Sequence, residues 1–170
     1  MYIKNVADPS NYGGVRKRID VIAIVLHYVG SDHYGETVRN NLAYFHNNKN
    51  LGASAHLFVD DNDWGKSVNL NRVAYTVGKD YRSGKEGEGI FYGIINNQNS
   101  VSIEICDFYT EKDLTPDKMK NLKKAIRHVY RNCPNIKYIV RHYDVNGKHC
   151  PRPCVKDPKI WNHLISEIVR

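Results

Sequence analysis

The stretch Val21-Ile22-Ala23-Ile24-Val25-Leu26, followed at once by His27-Tyr28, decides the fold. Six apolar residues in a row, four of them β-branched, suit a strand buried on both faces, the setting of a central strand in a sheet covered by helices. The run is the longest apolar one in the chain and far short of the roughly 20 residues of a membrane helix, so no membrane insertion is expected. His27 directly after it is a polar residue at the end of a central strand, where open α/β sheets bind ligands. A histidine that merely caps the strand is the plainer alternative.

Working outward, Glu36–Asn48 carries Val38, Leu42 and Phe45 at helical spacing. His56–Asp60, Asp61-Asn62-Asp63 and Trp64–Leu70 read as strand, turn and strand. Val101–Cys106 alternates, with Val101, Ile103 and Ile105 on one face and Ser102, Glu104 and Cys106 on the other. Thr115-Pro116-Asp117 opens a helix: a capping hydroxyl, proline at the first position, then an acid at the positive helix end. Met119, Leu122, Ile126 and Val129 give its apolar stripe. Lys137–Arg141 is a short strand, and Asp157-Pro158 opens a last helix. Strands alternating with helices predict an α/β fold, a single domain with a central mixed sheet flanked by helices. Lys79–Asn99, rich in Gly, Ser, Lys and Asn, is long for a connection and is expected to border a site.

The 170 residues amount to one domain, 1–170. Charged residues at 25% and hydrophobic ones at 41% exclude a disordered chain. The opening MYIKNVADPSNYGG has no apolar h-region, so no secretory signal peptide is expected. Lys and Arg number 25 against 18 Asp and Glu, a net +7, which favours an anionic partner: nucleic acid, a membrane surface, or an acidic polymer such as teichoic acid. The basic residues form no run of five and no nucleic-acid motif is recognisable, so no nucleic-acid partner is expected. On charge alone a solvated surface is the simpler reading.

Cys106, Cys133, Cys150 and Cys154 are too few for a disulfide framework in a chain of this size. Three of them stand near several histidines, which suggests metal before disulfide. In Arg141-His142-Tyr143-Asp144-Val145-Asn146-Gly147-Lys148-His149-Cys150-Pro151, His142 follows a strand and Cys150 lies across a loop. Imidazole and thiolate are the ligands zinc prefers, and three protein ligands leave a fourth position open. A closed structural site of Cys133, His142, Cys150 and Cys154 is the competing metal reading, although its spacings do not match the common fingers. Glu104 sits between Ile103 and Ile105, where a bare carboxylate is costly to bury. It is either a salt-bridge partner or a general base, and the pattern alone leaves both open.

Four segments in order resemble the zinc-dependent N-acetylmuramoyl-L-alanine amidases of the type-2 class, which include phage endolysins and bacterial autolysins and share their fold with peptidoglycan recognition proteins. The segments are Ile24–Gly30, Gly52–Asp61, Asn99–Cys106, and Arg141–Asp144 with Gly147–Pro151, which put the core of the resemblance at about 20–165 and leave no room for the separate wall-binding domain that many endolysins add. The resemblance implies one zinc per chain on His27, His142 and Cys150, Glu104 as catalytic base and Lys148 as stabiliser of the transition state. It implies hydrolysis of the bond between N-acetylmuramic acid and L-alanine in bacterial peptidoglycan, to which the positive charge adds anionic wall polymers as a further expected partner. It also implies synthesis in the bacterial cytoplasm and action on the wall after release or unconventional export. Thr76 stands where the family often carries a histidine, and Ala55 near where some members carry a tyrosine. A non-catalytic peptidoglycan-recognition module is the alternative, and the presence of all three ligands favours the enzyme.

Overall fold

In chain order the elements of the computed structural model are β1 (Tyr2–Lys4), β2 (Tyr12–Val15), β3 (Ala23–Tyr28), α1 (Val38–Asn47), β4 (Leu57–Val59), β5 (Trp64–Lys66), β6 (Arg72–Ala74), β7 (Ser100–Ile105), α2 (Pro116–Asn132), β8 (Tyr138–Arg141), α3 (His142–Asn146), α4 (Arg152–Lys156) and α5 (Pro158–Val169). The structure describes residues 1–31, 34–78 and 89–169. Six strands form a mixed sheet in the order β1-β5-β4-β7-β3-β8, and β2 pairs with β6 in a small second sheet. In the main sheet β4 and β5 are antiparallel and the other neighbours parallel.

The apolar run is a central strand, but it begins at Ala23 and continues through His27 to Tyr28. His27 therefore lies inside the strand rather than after it, because β7 pairs with β3 as far as Tyr28 opposite Ile105. Thr37 caps α1 by accepting a hydrogen bond from the Asn40 amide, so that helix starts two residues later than its apolar spacing suggests. Thr115 caps α2 in the same way, with Pro116 as its first residue. Strands β1, β2 and β6, of three or four residues each, leave no sequence pattern of their own. Pairing of β1 with β5 extends the sheet to residue 2, well before the expected core boundary. Of the expected Lys79–Asn99 loop, residues 79–88 lie outside the described residues; 89–99 run through successive turns.

The alternation along β3 and β7 divides the molecule. Ile24, Leu26, Val101, Ile103 and Ile105 face α2 and α5 and pack with Leu122, Ala125, Ile126, Val129 and Leu164 into the main core. Each fully buried Leu or Ile there contributes on the order of 1.5–3 kcal/mol. The other face carries Ala23, Val25 and His27 on β3 beside Ser100, Ser102 and Glu104 on β7. Small residues at its base make room for polar groups. His56, which precedes β4, bonds Ser102 Oγ through Nδ1 at 3.0 Å and meets Arg16 Nη2 through Nε2 at 2.9 Å. Arg16 is buried and has no acidic partner among the described residues. Its guanidinium donates instead to the carbonyls of Leu70, Asn97, Gln98 and Ser100, at 3.2, 2.9, 3.0 and 2.6 Å. Those bonds fix the entry to β7 and hence the height of Glu104.

Burial, aided by the Arg16 charge, pushes His56 down to about 3, so it is neutral in the folded protein. The unfolded chain takes up a proton at His56 near pH 6.5 that the native state refuses. Stability from this group is complete above about pH 6.5 and declines as pH falls, by about 1 kcal/mol per pH unit. Urea unfolding between pH 5 and 7.5 should show that decline, and His56→Gln should have a shallower slope. An equal slope in both proteins would remove His56 as its source.

Candidate metal centre

His27 lies one residue from the end of β3, Glu104 lies opposite it on β7, and Phe58 of β4 continues the same row. Parallel neighbours in register point to the same face, so strand pairing alone sets the imidazole beside the carboxylate. His27 Nδ1 is 3.9 Å from Glu104 Oε1. Next to β3 on its other side, β8 delivers His142 as the first residue of α3. Asp144 pins that helix start, accepting the Arg141 amide at 2.9 Å and the Arg141 guanidinium at 2.7 Å. Where the sequence suggested an open loop, residues 142–146 form a short helix ended by Gly147, whose φ of 80° turns the chain back. The Tyr143 amide then donates to the Cys150 carbonyl at 2.9 Å, which brings the thiol alongside.

The result is a buried triad. The ligand atoms of His27, His142 and Cys150 lie within 4.8 Å of one another, close to the span of ligands on one ion with bonds of about 2.0–2.3 Å. The two rings are 4.6 Å apart, and Cys150 Sγ is 3.7 Å from His27 Nδ1. His27 Nε2 and both His142 ring nitrogens are buried without a hydrogen-bond partner among the described residues. The Val77 carbonyl lies near enough to the His142 ring to favour its protonation slightly, but not in hydrogen-bond geometry. Orphaned buried nitrogens are costly unless something else satisfies them, and a metal ion would do so. Among the described residues no other group of three such side chains is assembled. Cys133 and Cys154 belong to the main core with α2 and α5, so the four-ligand structural site does not form. All four cysteines are free and buried.

The electrostatics suit metal binding. Burial first, then the neighbouring His142, holds His27 far below the usual imidazole range; burial takes His142 down to about 3. Both rings are therefore neutral and able to ligate. Burial and the nearby Glu104 raise the Cys150 thiol, which only a cation would draw into its thiolate form. Glu104 retains 18% of its side-chain surface open. Burial raises it to about 8, with Lys148 opposing. No Lys or Arg among the described residues comes within ion-pair distance of it, so the salt-bridge explanation lacks a partner. The exposed Lys148 lines two adjoining clefts of about 230 and 400 Å³, the first reaching His27, Glu104 and Cys150, the second His142. Ala55 and Thr76 form part of the first cleft's wall.

Two asparagines escaped the sequence reading. Asn97 Oδ1 accepts the Thr76 and Val77 amides at 3.1 and 2.9 Å and so shapes the cleft wall. Asn146 donates to the Val77 carbonyl at 2.6 Å and accepts the Lys148 amide at 3.2 Å, tying that wall to the Lys148 loop. Asn146-Gly147 has the composition of a turn, which hid the fact that the asparagine side chain is buried.

The family model described as N-acetylmuramoyl-L-alanine amidase matches residues 17–153. The N-acetylmuramoyl-L-alanine amidase CwlL of Bacillus licheniformis is 30% identical over 148 residues, 83% of this chain and 39% of that protein. BlyA of Bacillus subtilis strain 168, of the same description, is 30% identical over 143 residues, 78% of this chain and 37% of that protein. The chain thus spans about two fifths of the length of these curated relatives. The catalytic domain of XlyA superposes with a TM-score of 0.71 at 22% identity, covering 99% of both chains. PlyL gives 0.69 at 20%, covering 99% of this chain and 96% of the other. The two structures share the fold, and the family match spans β3, β7, β8 and every member of the triad: the chain belongs to the N-acetylmuramoyl-L-alanine amidase family.

Proposed function

We propose that residues 1–170 form one catalytic domain, a zinc-dependent amidase that cuts the bond between N-acetylmuramic acid and L-alanine in peptidoglycan and so acts on the bacterial cell wall. The observation that carries this reading is the buried triad of two neutral imidazoles and a thiol with unsatisfied nitrogens, at the mouth of a cleft that also holds a carboxylate and an ammonium. Imidazole and thiolate donors fit zinc. No helix among the described residues is long and apolar enough to cross a membrane.

Zinc on His27, His142 and Cys150 would supply a Lewis acid for the scissile carbonyl and acidify water. Glu104, in its ionised form, accepts the proton of the attacking water on a carboxylate oxygen. Lys148, on the solvent side of the cleft, places its ammonium against the carbonyl oxygen as negative charge develops there. Glu104 then returns the proton to the leaving alanine nitrogen. A glycan strand and a free stem peptide result.

Metal analysis of the purified protein should give about one zinc per chain, and Cys150→Ser should lose it. Chelation should also lower the melting temperature, because binding to the native state adds to stability. Full zinc occupancy in Cys150→Ser would overturn the ligand assignment. Digested peptidoglycan should yield stem peptides with a free N-terminal L-alanine and intact glycan, as read by mass spectrometry; new reducing sugar ends would mark a glycosidase instead.

Glu104→Gln should stay folded and zinc-loaded but lose roughly 10²–10⁴-fold in kcat. Lys148→Ala should lower kcat more than it raises KM, because its contact strengthens in the transition state. Steady-state kinetics on a soluble muropeptide, with zinc content and melts from the same samples, decide both. A folded, loaded Glu104→Gln enzyme keeping more than about a tenth of wild-type kcat would refute the base assignment.

A further inference from the structure

The positive charge is not spread over the surface. Helix α2 alone carries Lys118, Lys120, Lys123, Lys124, Arg127 and Arg131 against one acid, Asp117. With 25 basic and 18 acidic residues in the whole chain, the remainder holds 19 against 17 and is close to neutral. Lys118 is internal, bonded to the Asp107 carbonyl at 2.8 Å and paired with Asp61 at 3.3 Å. The other five lie on the side of α2 turned away from the core, and Lys120, Lys124, Arg127 and Arg131 follow one another at steps of three or four residues. Such a row places a charge about every helical turn, ~5.4 Å apart.

Four of these cations line a groove of about 550 Å³ between α2 and α5, with Leu114 and Met119 in its floor. Its one carboxylate is Glu167, 3.7 Å from Lys123. The groove lies on the helix-covered side of the sheet, opposite the face that carries His27 and Glu104. Its charge calls for a polyanion, and its shape and lining narrow the class. A trough between two helices holds a single flexible strand better than a flat surface or a duplex. No Phe, Tyr or Trp is among its lining residues, so it lacks the stacking platforms by which proteins hold single-stranded nucleic acid. Aliphatic floor residues under a row of cations match a polymer of alternating polyol and phosphate.

We infer that the α2–α5 groove is a docking site for a linear polyol-phosphate chain of the kind found in anionic wall polymers, separate from the metal centre. It would hold the enzyme to the wall while leaving the catalytic cleft open on the other face. The test needs no catalysis and stands apart from the amidase reading.

Binding of fluorescent poly(glycerol phosphate) to the full zinc-loaded chain is measured by anisotropy, beside a quadruple variant, Lys120→Gln/Lys123→Gln/Lys124→Gln/Arg127→Gln. A control variant, Lys17→Gln/Lys49→Gln/Lys156→Gln/Lys159→Gln, removes the same charge from exposed positions outside the groove. With about four phosphate contacts, Kd should rise ~50-fold between roughly 50 and 200 mM salt. The groove variant should bind at least about tenfold more weakly with a much flatter salt dependence, and the control within about threefold of wild type. All three proteins should melt alike, which excludes misfolding as the cause. Equal losses in both variants would reduce the effect to net charge and overturn the site. No binding of the polymer by the wild type, or tighter binding to duplex DNA or to vesicles of anionic phospholipid, would overturn the choice of partner.

Discussion

The parallel register of β3 and β7 is the constraint on which the site depends. A slip of one residue would turn the whole of a strand's side chains to the opposite face. Ile24, Leu26, Ile103 and Ile105 would then leave the core under α2 and α5, and His27 or Glu104 would enter it. The energy that fixes the pairing of imidazole and carboxylate therefore comes from the other side of the sheet, from several large apolar side chains acting together. The site residues themselves contribute burial costs rather than stability, as their displaced proton affinities record.

Two buried cations show how polar groups are accommodated where no carboxylate faces them directly or where only one does. Arg16 gathers four backbone carbonyls from two separate segments and remains charged, although burial lowers it to about 10. Lys118 shares a carbonyl and an aspartate at the start of α2. Both act as cross-braces between segments distant in sequence.

How much of this is legible in the sequence follows from where each signal resides. Val21–Leu26 announces a buried strand because nothing but an interior tolerates such a run, and Glu104 stands out because it interrupts another. Thr115-Pro116-Asp117 carries a helix start within three residues. His142 and Cys150 are near in sequence, and so a shared site could be expected of them. The three short strands, by contrast, exist only through their partners. Arg16 reads as one more surface arginine among Lys17 and Arg18, because the carbonyls that enclose it come from residues 70 to 100. His56 looks like an ordinary strand residue until Ser102 and Arg16 close around it. The shift of His27 from the end of β3 to its interior was likewise hidden, since the length of a strand is set by its neighbour.

All four thiols are shut away from solvent with no disulfide between them. Burial raises Cys106 and Cys133, and takes Cys154 to about 12, so almost none of the reactive thiolate exists in the folded state. An oxidant or an alkylating agent can reach Cys106, Cys133 and Cys154 only when the chain opens, whereas Cys150 lines the cleft. Modification of those three core thiols is in effect a record of unfolding: they become chemically marked only after the fold has failed.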